Sequence, residues 1–231
     1  MRRLLLCCLL FPLAALAEEY PDAQRWAYIV GGFQLQDEIT GPIQEAIVAT
    51  GSSSMRFWHD RIREDLGPLT VIPRGFGGSN MNDLLTWLDE LVLAHDPRAV
   101  MIYEGDNDVA QGVPVETILD TFARALARIH AHDADTRIYL LSVKPSLARE
   151  ALWPQMQRVN AGLRAFAVDD ARITFIDVAT PMLDDEGRPR PDLLVSDGLH
   201  MTQAGYDIWR NVVAPVLVAK ELRHEPTPAA R

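Results

Sequence analysis

The sequence predicts an α/β fold, a parallel sheet with helices on both faces, and two observations carry that reading. Five short apolar runs, at 46–50, 69–72, 99–103, 138–143 and 173–178, each have the length of a buried strand. Between them lie longer stretches in which apolar residues recur every three or four positions, the period of an amphipathic helix. Regular alternation of the two periods implies crossover connections, which put one helical layer on each side of a parallel sheet.

Taken in order, the first element is a leader. Arg2 and Arg3 precede an apolar stretch, and Ala15-Leu16-Ala17 stands before Glu18-Glu19, so residues 1–17 read as a signal peptide cleaved after Ala17. The stretch is too short for a permanent membrane span, and the expected location is the periplasm or the outside of the cell. Cys7 and Cys8 lie inside this stretch with no small residue ahead of Cys7, so no lipid anchor is expected. They are the only cysteines, and a packed core must therefore stabilise the mature chain, whose length suits one domain. The net charge of −10 becomes more negative once Arg2 and Arg3 are lost, which repels phosphate backbones and argues against nucleic acid as a partner.

Trp26, Ile29, Val30 and Phe33 predict a helix over about 22–37 that ends before Gly41-Pro42. The strand at 46–50 leads into Gly51-Ser52-Ser53, and the strand at 69–72 into Arg74-Gly75-Phe76-Gly77-Gly78. Leu84, Leu85, Leu88, Leu91 and Val92 mark the next helix. The strand at 99–103 is followed by Gly105-Asp106-Asn107-Asp108, and Pro114 opens a helix with Val115, Ile118, Leu119, Phe122, Leu126 and Ile129 on one face. After the strand at 138–143, Met156, Val159, Leu163 and Phe166 define a helix starting after Pro154. The strand at 173–178 precedes a loop holding Asp197-Gly198-Leu199-His200, and Thr202 caps a last helix marked by Tyr206, Trp209, Val212 and Val213. One domain is expected over 18–222, with a disordered tail at 223–231.

In such folds chemistry collects at the carboxyl ends of the strands, and each polar cluster falls there. Ser53 has an ordinary reading as a helix cap and a chemical one as a nucleophile, which a hydroxyl becomes only beside a base. The elbow of α/β-hydrolases is disfavoured, because Met55 stands where that motif needs glycine. Asp197-x-x-His200 can set a carboxylate against an imidazole, with Gly198 permitting the tight turn. Gly78 can present a bare backbone N–H to an oxyanion, and Asn107 a side-chain amide, although both residue types are also common in turns. His59, expected on the outer side of its helix, and His130, His132 and His224 have no such partners. None of these has the spacing of a zinc site, so neither metal nor cofactor is expected. For Lys144, Arg188 and Arg190 a contact to an anionic substrate competes with solvation or pairing to nearby acids, and solvation or pairing is favoured. For Trp58 and Trp153 packing is favoured over a sugar or acyl platform.

These four blocks, in this order, resemble the SGNH/GDSL hydrolase family over most of the mature chain. The family's serine, glycine, asparagine and histidine correspond to Ser53, Gly78, Asn107 and His200, with Asp197 as the acid. The Gly105–Asp108 and Asp197–His200 matches are the specific ones. Ser52 stands where the family's first block has aspartate, and Pro73 where its second block begins with asparagine. The resemblance implies a three-layer, flavodoxin-like sandwich with a five-stranded parallel sheet. It also implies hydrolysis of a small-molecule, glycan or lipid ester by a Ser53-His200-Asp197 triad, with Ser53, Gly78 and Asn107 forming the oxyanion hole. Two other readings compete: a flavodoxin-like module holding phosphate or flavin phosphate on backbone amides, and an inactive relative that binds acylated glycans.

Overall fold

The computed structural model describes residues 20–41 and 43–225; the expected leader at 1–17 and residues 226–231 of the expected tail lie outside them. Five strands, β1 (Ile47–Gly51), β2 (Val71–Gly75), β3 (Ala99–Tyr103), β4 (Arg137–Leu141) and β5 (Ile173–Ile176), form one sheet. All neighbours pair in parallel, in the order β2-β1-β3-β4-β5. This is the flavodoxin-like order, in which the chain reverses its direction of travel across the sheet between β1 and β3, and a crevice opens beyond their carboxyl ends.

Because both faces of the sheet are covered, its residues divide by the two-residue period of the pleat. Val48, Ile72, Val100, Ile138 and Leu140 enter a core with α1 (Ala27–Thr40), α4 (Met81–Thr86), α5 (Leu88–Leu91), α7 (Val115–His132) and α8 (Trp153–Asp169). Ile47, Ala49, Val71, Met101, Tyr139 and Leu141 enter the opposite core, closed by α2 (Ser53–Arg56), α3 (Ile62–Asp65) and α9 (Gln203–Glu221). One more helix, α6 (Asp106–Ala110), starts just past β3.

The structure departs from expectation where glycine and proline carry the chain. β1 and β2 each run on to a glycine, Gly51 and Gly75, because the backbones close in at these points. A Cβ on Gly51 would stand 2.1 Å from the Tyr103 carbonyl oxygen, and one on Gly75 2.5 Å from the Arg56 nitrogen. Pro73 lies within β2, where an edge strand tolerates the missing N–H. The helix expected across 84–92 is broken at Trp87 into α4 and α5, and α9 runs through Pro215. The helix expected from residue 22 begins as a 3-10 turn, Ala23–Trp26, from which Trp26 packs against the core; in α1, Val30 is buried and Phe33 packs against the core, but Ile29 is exposed.

The expected disordered tail is corrected at its start. Leu222–His224 form a 3-10 turn. Glu225 accepts hydrogen bonds from the Thr70 amide at 2.7 Å and hydroxyl at 2.8 Å, and pairs with Arg98, so these contacts tie residue 225 to the chain just ahead of β2 and β3.

Candidate active site

The close approach at Gly51 lets the Ser52 amide donate to the Tyr103 carbonyl at 3.1 Å, and the chain turns there into α2. Ser52 occupies the N-cap position without a side-chain capping bond. Ser52 and Ser54 are buried and Ser53 is half-buried. The Tyr206 hydroxyl, from α9, donates to the Ser54 carbonyl at 2.8 Å and ties this turn to the last helix.

Ser53 Oγ lies 2.9 Å from His200 Nε2, and His200 Nδ1 lies 2.6 Å from Asp197 Oδ2. The other Asp197 oxygen accepts the backbone N–H groups of Leu199 at 2.8 Å and His200 at 2.9 Å. Gly198, at φ 66°, makes that turn possible. The His200 hydrogen bond, with these amides, holds the Asp197 carboxyl well below the usual carboxylate range, so it stays ionised and keeps the Nδ1 proton on its side of the ring. From the outer side the Phe57 ring meets the imidazole edge to face at 4.9 Å between centroids.

The loop that carries Asp197 and His200 is also held from below. Lys144, fully buried at the end of β4, donates from Nζ to the Leu199 carbonyl at 2.6 Å, and the Ala148 amide donates to the Gly198 carbonyl at 3.0 Å. Burial pushes the Lys144 ammonium down from its ordinary value. Lys144 therefore does not face a substrate; it is paired, as are Arg188 with Asp184 and Glu186 and Arg190 with Asp192.

The oxyanion candidates converge from the next two loops. Gly78 adopts φ 84°, and a Cβ on Gly77 would lie 4.0 Å from that of Ser53, so this loop runs beside the nucleophile candidate. Among the described residues neither the Ser53 nor the Gly78 amide donates a hydrogen bond, which leaves both free for a ligand oxygen. Asn107, in the first turn of α6, donates from Nδ2 to the Ser79 carbonyl at 2.7 Å and keeps its second amide hydrogen.

Two residues near the site, Arg149 and Glu104, escaped the sequence reading, and a third, Asp108, was read only as part of its block. Arg149 donates to Asn107 Oδ1 at 2.9 Å and to Asp106 at 2.6 Å. Glu104 is fully buried and accepts the Ser79 hydroxyl at 2.5 Å; burial and neighbouring Asp108 push its carboxyl far above the ordinary range. Asp108, pushed up to about 6 by burial, accepts the Gly105 and Met81 amides and the Tyr20 hydroxyl, which locks the asparagine loop to α4. An acid directly after an apolar strand run was the only sequence signal for Glu104. For Arg149 none existed.

Elsewhere, Trp58 is buried with its indole N–H on Asp65 at 2.6 Å, whereas Trp153 is half-buried at a cavity of about 260 Å³ that it shares with Gln157, Asn160 and Asp177. His59 turns inward to accept the Gly75 amide at 2.9 Å, contrary to the outer position expected, and burial pushes it down to about 4. A cleft of about 550 Å³ flanks Asp197 and His200, with Phe57, Val195, Met201 and Tyr206 among its walls. Among the described residues no group of three His, Cys, Asp or Glu is placed to hold a metal ion, and no helix is long and apolar enough to cross a membrane.

Residues 38–208 match the model of the GDSL-like Lipase/Acylhydrolase family. Among solved structures the chain is similar to a GDSL-like lipase from Bacteroides thetaiotaomicron, at 22% identity and a TM-score of 0.70, covering 86% of this chain and 98% of that one. A lipase/acylhydrolase from Enterococcus faecalis aligns at 18% identity and a TM-score of 0.60, over 77% and 97% of the two chains. A carbohydrate esterase family 3 protein from Talaromyces cellulolyticus aligns at 16% and 0.59, over 75% and 97%. At these identities the likeness is one of fold. No curated protein matches the sequence.

Proposed function

Because the chain belongs to the GDSL-like Lipase/Acylhydrolase family of ester hydrolases, we propose that it cleaves carboxylic esters through an acyl-enzyme on Ser53. The observation that carries this reading is the hydrogen-bonded series Ser53 Oγ, His200, Asp197, with spacings of 2.9 and 2.6 Å. Ser53 Oγ attacks the ester carbonyl carbon as its proton passes to His200 Nε2. Asp197 remains ionised and stabilises the imidazolium. The carbonyl oxygen, now carrying the negative charge, takes hydrogen bonds from the Ser53 and Gly78 amides and from the second Asn107 amide hydrogen. Collapse of the tetrahedral intermediate breaks the bond to the alkoxy oxygen, which leaves with the proton from His200. Water, deprotonated by the same imidazole, then attacks the acyl-serine, and the acid departs as Ser53 recovers its proton.

A phosphate- or flavin-binding role is not favoured: the helix after Gly51 is only four residues long, and its serine hydroxyl is already engaged by His200. We infer short acyl or acetyl esters as substrates; no long apolar lid segment is evident among the described residues, which supports that choice. Residues 1–17 support action outside the cytoplasm, and amino-terminal sequencing of the mature protein checks cleavage after Ala17.

A fluorophosphonate probe tests the chemistry: it is expected to label Ser53 and to leave Ser53→Ala unlabelled, folded and inactive on p-nitrophenyl acetate. Undiminished turnover by Ser53→Ala would remove that serine from its role. Rates across a chain-length series of p-nitrophenyl esters, beside acetylated sugars, test the substrate class. A maximum at long acyl chains would overturn it.

A further inference from the structure

We propose that Arg149 is a positioning residue of the oxyanion hole, fixing which way the Asn107 amide faces and strengthening it as a donor; this rests on the esterase reading above. A side-chain amide is nearly symmetric in shape, so a half-turn about its last bond exchanges oxygen for nitrogen at almost no steric cost. In an oxyanion hole that exchange is ruinous, because the oxygen would repel the charge the nitrogen should bind. Here both ends of the amide are specified. Arg149 Nη2 donates to Oδ1 at 2.9 Å, and the Ser79 carbonyl accepts from Nδ2 at 2.7 Å. A flipped amide would set oxygen against the Ser79 carbonyl and NH2 against a guanidinium, breaking both bonds at once.

The guanidinium is itself held in place. Its Nη1 donates to Asp106 Oδ1 at 2.6 Å, and Asp106 Oδ2 lies 3.3 Å from the Tyr103 hydroxyl and 4.0 Å from Lys144 Nζ. Arg149 sits in a 3-10 segment, Leu147–Leu152, at φ −127° and ψ 24°, and its side chain is only 18% exposed. The same segment bonds the catalytic loop through the Ala148 amide and Gly198 carbonyl. One short stretch of chain thus reaches the oxyanion amide and the triad loop together.

Charge adds to geometry. A cation donating to the amide oxygen draws electron density from the nitrogen and makes its N–H a stronger donor, as in any polarised chain of hydrogen bonds. The planar fork serves two acceptors on different side chains, which a lysine ammonium cannot do with the same rigidity.

The experiment is a double-mutant cycle on p-nitrophenyl acetate with Arg149→Met, Asn107→Ala and the pair, and Arg149→Lys as the conservative variant. Arg149→Met is expected to lower kcat roughly 10- to 100-fold with KM little changed, Arg149→Lys to recover part of the loss, and Arg149→Met to cost less than about threefold once Asn107 is alanine. An unchanged kcat, or the same loss in both backgrounds, overturns the proposal. A second measurement does not depend on turnover. The side-chain amide resonances of Asn107, identified by their loss in Asn107→Ala, should move upfield in Arg149→Met and partly return in Arg149→Lys. Resonances that stay in place overturn the proposal even in a protein that cleaves no ester, whereas inactivity of the wild type alone counts against the esterase reading.

Discussion

Replacing Lys144 by methionine should lower activity without lowering stability. The ammonium is fully buried, and its charge-assisted bond to the Leu199 carbonyl, 2.6 Å long, holds the loop that carries Asp197 and His200. Such a bond contributes about 2 kcal/mol, and burying the charge costs several kcal/mol against it. Removing the lysine does not strand its acidic neighbour, because Asp106 keeps Arg149 at 2.6 Å. Methionine is a flexible, apolar filler of similar length. The melting temperature is therefore expected to hold or rise, while the Leu199 carbonyl loses its donor and the imidazole its fixed position relative to Ser53. If the full 2 kcal/mol appears in the transition state, kcat on p-nitrophenyl acetate falls about 30-fold. Calorimetry and steady-state kinetics on one preparation read both quantities. A variant that melts well below the wild type with unchanged kcat would refute the reasoning, since Lys144 would then support the core and not the loop.

Three further outcomes follow from particular contacts. Gly51→Ala should fail to give folded protein or lose more than about 4 kcal/mol in urea unfolding, because its Cβ would meet the Tyr103 carbonyl at 2.1 Å and its φ is 143°; near-native unfolding would show that the sheet can open there. Asp197→Asn should lower kcat by about 10⁴-fold by losing the charge that fixes the His200 tautomer, and stopped-flow rates with a retained circular dichroism spectrum check it. Glu104, with its folded pKa raised, keeps its proton where the unfolded chain has released it, so its contribution is whole below the ordinary carboxylate value and declines as pH rises toward the folded one. Glu104→Gln should therefore gain stability relative to the wild type between pH 5 and pH 8, read from urea midpoints; a constant difference across that range contradicts a buried neutral acid.

The sheet and the three triad candidates were legible because each rests on a local signal. A strand buried on both faces must be a continuous apolar run, and Asp197-x-x-His200 is a turn whose own backbone amides, at 2.8 and 2.9 Å, orient the carboxylate. Strand ends were less legible: Gly51 and Gly75 belong to the ladder through close approach of backbones, which composition does not reveal. The supporting shell was hidden altogether. Arg149 lies 42 residues from Asn107 in a stretch without periodicity, and the depth of Lys144 was not legible because it depends on where the Asp197–His200 loop folds over it. His59 looked solvent-facing for a similar reason, since its acceptor role depends on an amide in β2.

The bond between Ser53 and His200 joins residues 147 apart in sequence. A chain emerging amino-terminus first displays its serine long before its base exists, and until α9 docks that hydroxyl has only the reactivity of serine in water. On the proposed mechanism turnover reports the docking of the last part of the chain: a molecule truncated before residue 197, or one whose last helix is undocked, falls silent although all five strands precede the break. In an assay of refolding, the return of ester cleavage should lag the return of helical signal, and the lag would measure the closing step itself.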